Sequence, residues 1–228
     1  MIKENIQEIE KNIQQACIRA NRKREEVTLI VVTKTQPNSL IMEAYDAGVR
    51  HFGENRVQEF VTKYDLLPGD ASWHMIGHLQ RNKVKDVVGK VKLIQSVDSL
   101  RLAETIEKEC VKKNIDVDIL VEVNVAEEES KFGIGLDEVE SFVKQLSKFN
   151  HIHVKGLMTI APFVDNPETN REVFARLKKI SVDIERQNID NVTMRVLSMG
   201  MTNDYQVAIE EGSTMIRVGT AVFGVRYA

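Results

Sequence analysis

Apolar residues at Ile2, Ile6, Ile9, Ile13 and Cys17 recur at steps of three and four, which predicts an amphipathic helix ending near Asn21. The pattern then changes to short β-branched or apolar runs: Thr28–Thr33, Val49–Gly53, Trp73–Gly77, Lys92–Val97, Asp118–Val125, His153–Ile160, Thr193–Ser198 and Thr214–Val218. Between them lie helix-period stretches at Ser39–Ala47, Val57–Leu66, Asn82–Val88, Ser99–Lys113, Leu136–Phe149, Glu168–Gln187 and Asp204–Glu210.

Such regular alternation predicts an α/β protein, and about eight strands is the number a closed parallel (β/α)8 barrel of the TIM type needs. Only Ala221–Ala228 follows the last strand, so the extra N-terminal helix is expected to cover the gap left by a missing eighth helix. An open doubly wound sheet would alternate in the same way. Its phosphate fingerprint is absent, because the first strand runs into Thr33-Lys34-Thr35-Gln36-Pro37 with no G-x-G-x-x-G. No linker rich in Pro, Gly or Ser interrupts the series, so residues 1–228 are read as a single barrel domain.

Composition changes this picture little. The chain has 228 residues, 43% hydrophobic and 29% charged, as expected of a globular domain with a sizeable core. A net charge of -3 gives no basic field for nucleic acid. The basic run Arg81 to Lys92 reads as a solvated helix face. Cys17 and Cys110 lie far apart in helix-period segments, which argues against a disulfide framework or zinc site and fits a reducing compartment. With no signal peptide and no membrane span, the expected location is the cytoplasm.

In a barrel of this kind the chemistry sits where the strands end. Lys34 closes the first strand. Desolvation there would lower its pKa and make it an amine nucleophile toward an aldehyde, although a lysine snorkelling at the rim explains the position equally. Asn55 in Gly53-Glu54-Asn55-Arg56 either donates to a ligand oxygen or caps the next helix. His74 and His78 lack a third metal ligand at a recognisable spacing, and His78 reads rather as a pocket-lining residue. Glu122 and Asn124 share one face of a central strand, which implies a polar lumen near a ligand or an internal hydrogen-bond network. Ser198-Met199-Gly200-Met201-Thr202-Asn203-Asp204 before a helix, and Arg217-Val218-Gly219-Thr220 after the last strand, match the phosphate site of this architecture. A lysine nucleophile opposite a phosphate cradle fits a phosphorylated aldehyde.

The segment from Trp73 to Lys83, Trp-His-Met-Ile-Gly-His-Leu-Gln-Arg-Asn-Lys, closely resembles the signature of the YggS/PROSC family of pyridoxal phosphate homeostasis proteins. Val32-Thr33-Lys34, residues 52–59, Gly156 to Ile160, Ser198 to Met201 and Arg217 to Thr220 carry the same resemblance. Gln36 and Thr202 depart from it, the latter keeping a hydroxyl. The resemblance implies a barrel similar to the N-terminal domain of alanine racemase, with pyridoxal 5′-phosphate as a Schiff base on Lys34. It further implies Ser198, Gly219 and Thr220 at the phosphate, Arg217 at the pyridine nitrogen, Asn55 and Met158 along the ring, and Met199 and Gly200 within the cradle. An arginine at the ring nitrogen donates without protonating it, which weakens the ring as an electron sink. Racemases of that fold add a second domain, and the chain's end at Ala228 leaves no room for one after Tyr227. The expectation is therefore a monomeric, non-enzymatic cofactor holder serving vitamin B6 balance, with apo pyridoxal-phosphate enzymes as recipients and neither nucleic acid nor membrane as partner. A small racemase, a Schiff-base aldolase and an interaction module with structural cofactor are the rival readings.

Overall fold

The computed structural model describes residues 1–128 and 132–224. Eight strands close a parallel barrel in sequential order: β1 Thr28–Val32, β2 His51–Glu54, β3 Ser72–Met75, β4 Leu93–Val97, β5 Val117–Glu122, β6 Ile152–Met158, β7 Val192–Ser198 and β8 Met215–Val218. Around it run α1 Ile2–Arg19, α2 Asn38–Asp46, α3 Val57–Lys63, α4 Val84–Val87, α5 Leu100–Lys113, α6 Val139–Leu146, α7 Arg171–Glu185, α8 Tyr205–Glu210 and α9 Thr220–Phe223.

The helices form because each can bury one stripe. In α1 the stripe is the predicted one, with Ile2, Ile6, Ile9, Ile13 and Cys17 buried. Helix α5 buries Leu102, Ala103, Ile106 and Cys110; the Ser99 hydroxyl accepts from the Leu102 N–H at its start, and Asn114 in the left-handed region stops it. Both cysteines are free and buried.

The N-terminal helix covers the barrel's closure as expected. The last strand is followed at once by α9, a single turn, and α1 packs against α2, α8 and α9 to complete the jacket. Residues 225–228, including Tyr227 and Ala228, lie outside the described residues.

Two cores result. A large one fills the space between strands and helices. A small apolar one, of Ile30, Leu93, Leu120, Met158 and Met215, lies inside the barrel. Side chains two apart on a strand share a face, so Gln95, Glu122 and Arg217 point into the lumen above Leu93, Leu120 and Met215. Gly156 lets β6 and β7 approach across their register shift, since a Cβ there would stand 1.8 Å from the Val196 carbonyl oxygen. Asn124, expected on the lumen face, lies past the end of β5. Its side chain binds the Glu128 backbone, donating to the carbonyl at 2.8 Å and accepting from the N–H at 3.2 Å.

Candidate cofactor site at the barrel mouth

At the C-terminal ends of β1, β7 and β8 a cavity of about 550 Å³ is walled by Val32, Lys34, Met201, Thr202, Arg217, Gly219 and Thr220, with Pro162 and Phe163 from the loop after β6. The expected nucleophile and part of the expected cradle thus meet in one space.

Lys34 stands exposed at the rim rather than buried at the strand end as expected. Its backbone, by contrast, is anchored on both sides. The Thr33 hydroxyl donates to Glu54 Oε1 at 2.7 Å, and the Thr33 carbonyl accepts from Lys63 Nζ at 2.9 Å. On the other side the Thr35 N–H donates to Glu59 Oε2 at 2.6 Å, which holds Thr35 at φ 58, a value a β-branched residue rarely adopts. Lys63 ties the two carboxylates together, at 2.6 Å from Glu54 and 3.0 Å from Glu59.

Arg217 forms the inner wall. It is almost wholly buried; one arm donates to Ser198 Oγ at 2.5 Å and the other to the Thr159 carbonyl at 2.8 Å. Burial pulls its pKa down to about 10, opposed by the nearby carboxyl groups of Glu122 and Asp204, so it stays cationic at neutral pH. Ser198 in turn donates to Gln95 Oε1 at 2.6 Å. Gln95 Nε2 meets His74 Nδ1 at 3.3 Å, and His74 Nε2 meets His51 Nδ1 at 3.0 Å. A polar column thereby runs from the floor of the barrel to the guanidinium. An amide that donates to His74 Nδ1 leaves the proton on Nε2, so His74 is a neutral donor to His51. Burial pushes the His74 pKa down to about 3, and His51 and Lys92 add to that.

The other expected residues distribute unevenly. Ser198 is fully buried beneath Arg217 and does not line the cavity; from its segment the hydroxyl residue that does is Thr202, four residues on, which accepts from the Ala221 N–H at 3.4 Å. Met158 is buried at the top of the lumen, paired in register with Glu122 and Ser198. Met199 points outward into the jacket core. Gly200, at φ +95, accepts from the Arg217 N–H, and a Cβ there would lie 2.6 Å from Ala208 Cβ, so it sets how closely α8 approaches. Asn55 lines a different hollow, of about 520 Å³, with Arg56, Glu59, His78, Gln80 and Lys83. His78 stacks on Phe132 at 4.1 Å between centroids. Sequence reading did not single out Gln95, Phe163 or Lys63. Among the described residues no group of His, Cys, Asp or Glu could hold a metal ion, and no helix is long and apolar enough to cross a membrane.

Fold and site define a class: a (β/α)-barrel with an accessible lysine after its first strand and a Gly-Thr cradle after its last. Comparison with known proteins narrows it. The family described as alanine racemase, N-terminal domain, matches residues 5–227. The pyridoxal phosphate homeostasis protein of Aquifex aeolicus is 43% identical over 98% of this chain and 97% of its own length; that of Escherichia coli strain K12 is 36% identical over 99% and 97%. The structure of PipY from Synechococcus elongatus with pyridoxal phosphate bound superposes with a TM-score of 0.83 at 34% identity, covering 98% of this chain and 100% of that one. An alanine racemase of Clostridium difficile shares the fold, with a TM-score of 0.77 at 14% identity over 57% of its chain. The chain belongs to the alanine racemase N-terminal domain family and, within it, to the pyridoxal phosphate homeostasis proteins.

Proposed function

We propose that this protein binds pyridoxal 5′-phosphate covalently through Lys34, in the service of intracellular cofactor homeostasis, and holds and releases it without catalytic turnover. The observation that carries the reading is the meeting of Lys34, Thr202, Arg217, Gly219 and Thr220 around one cavity. The residues suit the cofactor. Asn55 Oδ1 and Glu122 Oε2 are buried without a hydrogen-bond partner among the described residues, as expected of groups awaiting a ligand. When bound, pyridoxal phosphate supplies an aldehyde that joins amines reversibly. Lys34 offers the amine from an anchored backbone. Arg217, fixed by Ser198 and Thr159, faces a ring nitrogen as a donor that does not give up its proton, which suits holding more than carbanion chemistry. The phosphate falls to Thr202, Gly219 and Thr220, while Ser198 acts beneath them by orienting Arg217. Recipients of the released cofactor are apo-enzymes that present their own lysine.

The test pairs binding with turnover. Thr202→Val is expected to weaken binding of pyridoxal phosphate about ten-fold, because a hydrogen bond to a charged group contributes about 1.5–3 kcal/mol. Pyridoxal without phosphate should bind poorly. Loaded protein should restore an apo-enzyme while leaving L-alanine unracemised. Equal affinity for pyridoxal and its phosphate would refute the cradle, and racemisation abolished by Lys34→Ala would replace the holder with an enzyme.

A further inference from the structure

Glu122 ends β5 on the lumen face, in register with Met158 and two residues beyond Leu120 of the apolar interior, so it shares the top of the barrel with Arg217 and Ser198. It is 5% exposed and its Oε2 has no hydrogen-bond partner among the described residues. An ionised carboxylate so placed would leave Oε2 buried without a hydrogen bond, an arrangement proteins avoid by keeping the proton.

Its surroundings favour the neutral form. Burial pushes the Glu122 pKa up to about 7; Asp98, just past β4, adds to the push and Arg217 on β8 opposes it. Asp98 is itself raised, chiefly by burial, and lies 3.8 Å from His78 Nδ1. From β6 the neighbouring side chains are Met158 and Thr159, neither of which titrates, and the Thr159 hydroxyl is engaged with the Val123 carbonyl at 2.7 Å. No neutral donor or acceptor on these strands uses Oε2.

We propose that Glu122 donates, as a neutral acid, a hydrogen bond to the ring-borne oxygen anion of the bound cofactor, so that this residue makes cofactor retention depend on pH. The inference rests on the cofactor reading above. At low pH the carboxyl donates. Once ionised it loses the donor and sets a negative charge against the ring oxygen, and retention falls.

The experiment measures the rate at which loaded protein loses pyridoxal phosphate to a scavenger from pH 6 to 9, in wild type, Glu122→Gln and Glu122→Leu. The ratio of wild-type to Glu122→Gln rates is the decisive quantity, since the amide donates at every pH and any pH effect at Lys34 is common to both. That ratio is expected to rise about ten-fold across the range, and Glu122→Leu should lose cofactor quickly throughout. Carboxyl carbon NMR of the cofactor-free protein gives a second readout, a Glu122 titration near neutrality whose midpoint moves upward on loading. Parallel pH curves for wild type and Glu122→Gln, or a Glu122 carboxyl that titrates in the ordinary range and does not respond to loading, would overturn the proposal. Wild-type protein that never takes up the cofactor would instead refute the cofactor reading, and this inference with it.

Discussion

The same eight strands build two interiors of opposite character. Outside the barrel, Phe60, Phe174, Ile13 and Ile106 fill the jacket with side chains that make no polar contact. Inside it, a short apolar layer is topped and flanked by His74, Gln95, Glu122, Ser198 and Arg217, each buried and four of them linked in one column. A jacket residue loses only its own packing when removed. A column residue also leaves its partners unsatisfied in a low-dielectric space, and it loosens the guanidinium at the cofactor wall. The jacket therefore carries stability and the lumen carries geometry.

That contrast can be broken most forcefully in the jacket. Phe174→Ala on α7 is expected to cost about 3–5 kcal/mol in urea unfolding, the range for a fully buried aromatic, while the spectrum and affinity of bound cofactor in the folded protein stay unchanged. A comparable loss of affinity would show that the two interiors are not separable.

Gln95→Leu tests the lumen. Ser198 and His74 lose a partner each, so stability should fall by about 2–3 kcal/mol and cofactor should dissociate faster, because Ser198 no longer holds Arg217 from below. Unchanged dissociation with reduced stability would make the column merely structural.

The pH response sharpens the comparison further. The folded barrel keeps His74 neutral to about pH 3, whereas the unfolded chain takes up a proton below about 6.5, so stability should fall as pH drops through that window. The slope contributed is at most about 1.4 kcal/mol per pH unit. Glu122, raised to about 7, contributes oppositely: its share is full below its unfolded value and is lost as pH rises through about 7. Urea unfolding at pH 4.5 and 7 should show less acid loss in His74→Gln than in wild type. Identical losses would mean that His74 is protonated inside the barrel.

The jacket was legible in the sequence because a helix that buries one stripe repeats it visibly, as in Ile2, Ile6, Ile9 and Ile13. The barrel followed from the rhythm of strand and helix. The lumen was legible only at Glu122, a polar residue in an apolar strand; elsewhere strands buried on both faces show no alternation: Leu93-Ile94-Gln95-Ser96-Val97 is buried throughout, and nothing local marks Gln95 as the partner of a serine 103 residues away. The same limit explains the cradle. Ser198 and Thr202 are both hydroxyls in one Gly-containing segment, but β7 extends through Ser198 and keeps it inside the barrel, leaving Thr202 to reach the cavity. The rim lysine was placed correctly by its strand, while its anchoring by Glu54, Glu59 and Lys63 depends on contacts up to 30 residues apart.

The central claim is that Lys34 carries the cofactor, and borohydride reduction of loaded protein followed by peptide mass mapping tests it most directly. A pyridoxyl adduct on Lys34, with loss of the visible chromophore in Lys34→Ala, is the predicted result; an adduct found chiefly on Lys63, Lys83 or another lysine, with Lys34→Ala still coloured, would contradict it.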